Sequence, residues 1–135
     1  MKHFDPERDQ FAALRPLDRD GAVQMLNLIR LRERAAYPDG RVATGREAYA
    51  AYSRASQPIF QRVGGRQTWI AFPESLLIAP ADGRWDIAFV AEYPSGAAFV
   101  EMLQNPEYCA AVWHRTAAVE DSRLLRLQPS ARRPT

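Results

Sequence analysis

Between residues 21 and 128 the apolar positions fall into two rhythms, one of strands and one of helices. The runs AVQMLNLIRL (22–31) and WDIAFVAEY (85–93) are apolar at most positions and too short for a buried helix pair, so they predict strands. Between them, Thr44-Gly45-Arg46-Glu47 has the capping-box form, in which a hydroxyl and a carboxylate each satisfy an orphan backbone donor, and a helix is expected from Gly45. Ala48, Tyr52, Ala55, Ile59 and Val63 recur at steps of four and three as its apolar face, and Gly64 supplies a left-handed stop. Pro58 lies inside this run and cannot donate a backbone bond, which predicts a bend or short break over residues 54–58.

Residues 65–79 predict a long strand interrupted at Pro73-Glu74, returning through a hairpin turn at Asp82-Gly83 into the strand at 85–93. Ser95 caps a helix carrying Phe99, Met102 and Leu103, and Asn105-Pro106-Glu107 starts another that runs to about Ala118. A last strand is expected over 122–127. At the front, Asp5-Pro6-Glu7 predicts a leading helix to Leu14, so residues 1–20 form an accessory helix and loop, 21–128 the domain, and 129–135 a disordered tail.

The core order is strand, helix, strand, strand, helices, strand. Right-handed crossovers fold this order into an α+β, ferredoxin-like βαββαβ layer with an antiparallel sheet and the helices on one face. An antiparallel sheet with one wet face should alternate apolar and polar residues, and this one does not. In the first strand Val23, Met25, Ile29 and Leu31 point one way and Leu26 and Leu28 the other; in the third, Trp85, Ile87, Phe89, Ala91 and Tyr93 oppose Ala88 and Val90. The helices cover one face only, so a second subunit is expected on the other, giving a homodimer through the sheet face.

Composition narrows the function classes. At 135 residues, 47% hydrophobic and 25% charged, the chain has the make-up of one globular domain. No apolar run reaches the roughly 20 residues of a membrane span, and the lone Cys109 makes no internal disulfide, so a cytoplasmic setting and no membrane partner are expected. A net charge of +2 with acids mixed throughout argues against a nucleic-acid partner, and the arginines crowded at 32, 34, 41 and 46 read as a solvated connection. Residues 40–47 imitate the glycine spacing of a phosphate loop, but Arg46-Glu47 stands where Lys-Ser/Thr is required. Two histidines and one cysteine offer no metal-ligand spacing, and no cofactor is expected.

Candidate chemistry rests on polar residues near element ends. His114 titrates ordinarily near pH ~6.5 and suits acid-base work, with Asp121 or Glu92 as its carboxylate; His114 and Asp121 are the catalytic candidates. The plainer alternative has His114 and Arg115 closing the C-terminal end of a helix, where positive charge is favoured, and Arg115 pairing with Glu120 or Asp121. Asn27 stands among apolar strand residues, and a buried amide must find partners, which makes it a candidate ligand-binding residue. Arg30 near the strand end, Tyr52 on the helix face, Glu92 and Arg115 complete that set.

The pattern MLNLIRLR, the helix ending in Gly64-Gly65-Arg66, and then WDIAFVAEYPS, NPEY and HRTAAVEDSRLL resembles the domain-of-unknown-function 1330 family over residues 21–127. The resemblance implies membership of the dimeric α+β barrel superfamily, and hence the same homodimer that the two-sided strands suggest. It carries no established reaction. The leading helix and the arginine-rich connection are less typical of it. The expected function is a small homodimer binding a small organic molecule in a cavity between sheet and helices, acting on it without a cofactor as monooxygenase- or isomerase-like relatives in the superfamily do; the alternative is a non-catalytic ligand-binding or structural dimer.

Overall fold

The computed structural model describes residues 21–130. Strands β1 (Val23–Leu31), β2 (Arg66–Ala71), β3 (Ile87–Tyr93) and β4 (Val119–Leu127) are connected through helices α1 (Gly45–Arg62), α2 (Gly96–Gln104) and α3 (Pro106–Ala118). The strands form one antiparallel sheet in the order β2-β3-β1-β4, the ferredoxin-like arrangement expected from the element order. The leading helix expected over residues 5–14, and the tail beyond residue 130, lie outside the described residues.

Local chemistry explains the helix ends. Thr44 Oγ1 accepts from the Glu47 amide at 3.0 Å while the Glu47 carboxylate accepts from the Thr44 amide at 2.9 Å, completing the capping box. Gly45 follows because a Cβ there would lie 1.9 Å from the Arg32 carbonyl oxygen, so only glycine lets the helix start against the end of β1. Asn105 caps α3 by accepting from the Glu107 and Tyr108 amides, and Pro106 occupies the first turn. At its other end α3 runs straight into β4, whose first residue, Val119, donates its amide to the Arg115 carbonyl.

Three local expectations are corrected. Helix α1 continues unbroken through Pro58 to Arg62; Pro58 and Arg54 are both exposed, so the carbonyl that proline deprives of a donor faces water. Its buried stripe runs through Ala48, Tyr49, Ser56 and Ile59, with Ala55 exposed. The long strand ends at Ala71, and residues 72–86 form a loop rather than a tight hairpin, because Pro73 has no ladder donor. That loop is tied down from β1: Arg30 donates through Nε to the Arg84 carbonyl at 2.8 Å and through Nη2 to the Asp82 carbonyl. The Asp86 carboxylate accepts from the Leu31 amide at 2.8 Å. Strand β3 therefore starts only at Ile87, and Trp85 sits between Arg30 and Arg123 instead of extending the inward row.

Register divides the sheet into two faces. Val23, Met25, Asn27, Ile29 and Leu31 of β1 share the helix-covered face with Ile87, Phe89, Ala91 and Tyr93 of β3 and with Ser122, Leu124 and Arg126 of β4. A bulge at Thr68 shifts β2 against β3, so that Gln67 and Ile70 join this face and Trp69 the other. Under the helices the core is two clusters rather than one. One gathers Val23, Met25, Ile59, Tyr93, Phe99 and Met102, the other Ile29, Leu31, Tyr49, Ile87, Ala117 and Val119. Tyr52 and Phe89, only partly buried, touch both, and Asn27 lies on β1 between Met25 and Ile29 where the clusters part.

Candidate functional site

Where the two clusters part, a cavity of about 1020 Å³ opens between sheet and helices. Ligand cavities run to roughly 300–1,000 Å³, so this one admits a small organic molecule. One wall is apolar, with Phe60, Phe99, Met102 and Leu103 from the helices and Ile70 and Phe72 from the β2 edge. The other wall is polar. Asn27 donates to the Met25 carbonyl at 3.2 Å, and Arg115 Nη2 reaches Ser122 Oγ at 3.3 Å.

Tyrosines fill the middle ground. The Tyr52 and Tyr108 hydroxyls are 2.8 Å apart, the Tyr49 and Tyr52 rings lie 5.4 Å apart, and the Tyr93 hydroxyl points at Met102 Sδ. Burial pushes the Tyr49, Tyr93 and Tyr108 phenols well above their ordinary value, and the Arg115 charge offsets only part of this at Tyr49 and Tyr108. These hydroxyls stay protonated at neutral pH and serve as hydrogen-bond donors to one another or to a ligand. Arg46 from the first turn of α1 and Arg126 from β4 also line the cavity. Among the described lining residues there is no Asp, Glu, Lys or His, so the site can hold and orient a molecule but presents no carboxylate or imidazole base to it.

The structure sorts the predicted residues into three places. Asn27, Tyr52 and Arg115 line the cavity together. Arg30, Glu92 and Asp121 belong to the opposite face of the sheet. There Arg30 holds the 72–86 loop, Glu92 bonds Gln24 and Arg66, and Asp121 pairs with Arg123 at 2.8 Å. Hydrogen bonds from Gln24 and Arg66 hold the Glu92 carboxyl below its ordinary range.

His114 is in neither place. Its Nδ1 is 2.6 Å from the Tyr37 hydroxyl, on the outer side of α3, so the pairing expected with Asp121 or Glu92 is not formed. Tyr37 also packs edge-on against Trp113, and Arg41 lies over both rings. This cluster fastens the arginine-rich connection to α3, helped by the Ala36 amide donating to the Ala117 carbonyl. Desolvation, then the Arg41 and Arg54 charges, lowers the His114 pKa and keeps the ring neutral.

Sequence reading missed Tyr108, Arg46 and Arg126. Tyr108 enters the sequence reading only within the NPEY motif, although it stands in the first turn of α3, where its hydroxyl meets Tyr52 of α1. Arg126 alternates with Leu124 and Ser122 on the inward face, a parity that becomes visible only once the register with β1 is known.

Among the described residues no helix is long and apolar enough to cross a membrane, and no group of three or more His, Cys, Asp and Glu side chains could hold a metal ion. The chain is similar to two crystal structures of the RPA0582 protein. One, of the methylated protein, is 58% identical with a TM-score of 0.92, covering 96% of each chain. The other, described as a protein of unknown function from Rhodopseudomonas palustris, is 56% identical with the same TM-score, covering 98% of this chain and 100% of that one. At the level of fold it is also similar to a dimeric ferredoxin-like protein of unknown function from Bacteroides fragilis, at 15% identity and a TM-score of 0.52 over 79% of this chain and 95% of that one. No curated protein matches it. The family model described as domain of unknown function (DUF1330) matches residues 41–126, and the chain belongs to that family.

Proposed function

We propose that the protein is a homodimer that holds a small organic molecule in the cavity of each subunit, with the two sheets packed face to face. The observation that carries the reading is the divided core: a sequence otherwise rich in packing residues leaves about 1020 Å³ between sheet and helices and lines it with tyrosine hydroxyls, amides and guanidiniums. Well-packed interiors leave few voids larger than a water molecule, and a cavity with convergent polar groups in an apolar setting is what a ligand site requires. The chemistry favours binding over turnover, since the phenols are poor bases and no imidazole or carboxylate lines the described wall.

The dimer reading rests on the outer face of the sheet. Trp69, Val90, Leu26 and Leu125 form one row across all four strands, and Ala71, Ala88 and Leu28 continue the band beside Arg123. Trp69 is 51% and Leu125 44% exposed in the single subunit, and such a band is usually covered by a partner. A second copy matches it, with the Arg66–Glu92 and Asp121–Arg123 pairs framing the rim, as the dimeric Bacteroides fragilis protein shares the fold.

Two measurements test this. Light scattering at micromolar concentration should give twice the 15.3 kDa chain mass; a single-chain mass would end the dimer. Ligand-detected and amide NMR with a panel of small aromatic molecules, charged and neutral, should shift Asn27, Tyr52 and Tyr108 together, and a panel of which no member shifts any of them would end the cavity reading.

A further inference from the structure

Resting on the cavity reading, we infer that the molecule held there is an organic acid whose carboxylate lies against Arg115 and Arg126 and whose apolar body extends toward Phe60, Phe99 and Met102. The inference comes from how charge is distributed over the walls. The described lining carries arginines and neutral polar groups and no acidic side chain. Arg115 and Arg126 come from α3 and from β4, the edge strand opposite the β2 edge that supplies Ile70 and Phe72. Arg126 stands opposite Met25, Leu124 opposite Asn27 and Ser122 opposite Ile29, so Arg126 and Ser122 flank Asn27 along the inner side of β4. Arg115 reaches Ser122 from α3 and lines the cavity with Tyr49 and Tyr108.

A guanidinium carries five donors in a fixed fork, matched to the two oxygens of a carboxylate, and can serve a hydroxyl and an anion together. Asn27 and the protonated tyrosines add neutral donors beside it. The opposite wall of Phe60, Phe99, Met102 and Leu103 offers nothing to a charged group. A molecule with one acidic end and an aromatic or alkyl remainder satisfies both walls; a neutral apolar molecule leaves the guanidiniums to water. Arg46, exposed at the start of α1, lines the same cavity and adds attraction at the entrance.

The test uses matched probes on the full chain: 2-naphthoate against 2-naphthalenemethanol, and decanoate against 1-decanol, by calorimetry at low and high salt. Each acid should bind at least about tenfold tighter than its alcohol at low salt, consistent with a charge-assisted contact, and the advantage should shrink as salt is added. Arg126→Gln and Arg115→Gln should each remove most of the advantage, lowering the affinity for the acid far more than that for its alcohol. Arg115→Gln also loses the bond to Ser122, so Arg126→Gln decides if the first variant unfolds. Equal binding of acids and alcohols would overturn the inference while leaving the cavity reading intact. Binding of neither class would overturn both.

Discussion

The two faces of the sheet are made by the same four strands and finished in opposite ways. The inner face meets helices that supply much of a core, and the packing stops short at Asn27, leaving space. Among the described residues nothing is packed on the outer face, yet its apolar row from Trp69 to Leu125 is continuous and Arg66–Glu92 and Asp121–Arg123 are paired at the border. Incomplete packing on one side and an unfinished surface on the other are different departures from a closed monomer. The first suits a small guest, the second a flat neighbour. Placing a polar residue on a strand is therefore not enough to assign it; the face on which it lies decides whether it meets a ligand or a subunit.

The largest effect should come from the inner face away from the cavity. Ile29 and Ile59 are almost fully buried, one in each cluster, and Ile29→Ala or Ile59→Ala should each lower stability by about 2 to 5 kcal/mol in urea unfolding, as large-to-small core changes do. A change below that range at both positions would mean that the clusters are as loose as the cavity between them.

On the outer face, Leu125→Glu should leave the subunit folded and convert the proposed dimer to a 15.3 kDa species by light scattering, since a charge in the middle of an apolar band would be desolvated without a partner. Met25 and Phe89 lie on the inner face, so charges there report on the core and leave the interface question open.

A smaller effect is expected where the cavity begins. Asn27→Leu removes the bond to the Met25 carbonyl and extends the apolar row, so stability should change by no more than about 1 kcal/mol while binding of 2-naphthoate weakens. If binding is unaffected, the amide faces the cavity without contributing to it.

The smallest effect concerns the cluster outside both faces. His114 has a folded pKa below the ordinary 6.5, so the unfolded chain takes up the proton first as pH falls. Its contribution is fully present above about 6.5 and is lost as pH drops from there to the folded value. His114→Gln should flatten that part of the stability profile and leave cavity binding unchanged; a loss of binding would bring His114 back among the site residues.

Much of the architecture was legible because its signals are local. Thr44 with Glu47, Asn105 with Pro106 and the positive φ of Gly64 depend on neighbours within a turn or two, and each does in the fold what its spacing implies. Pro58 was misread because a helix tolerates a lost bond on its wet side. The candidate site was harder to read, since Asn27, Tyr52 and Arg115 meet only through tertiary packing. Arg30, Glu92 and Asp121 share with them the property of being polar near strand ends and differ in the direction they face. His114 looked catalytic by type, and only the fold of the arginine-rich connection shows that Tyr37 occupies its ring nitrogen.

The bulge at Thr68 acts as a parity switch. It adds one residue to β2 between Gln67 and Trp69, and everything beyond it on that strand is reversed with respect to the sheet. Without it, the register that pairs Gln67 with Ala91 would place Trp69 opposite Phe89, turning the indole inward to occupy the empty volume and sending Ile70 outward. The room under the helices is thus maintained in part by backbone counting. Deleting Thr68 takes out the extra residue itself and leaves Trp69 opposite Val90 and Ile70 opposite Phe89, so guest binding and self-association should both survive the deletion and only the local kink of the strand should be lost.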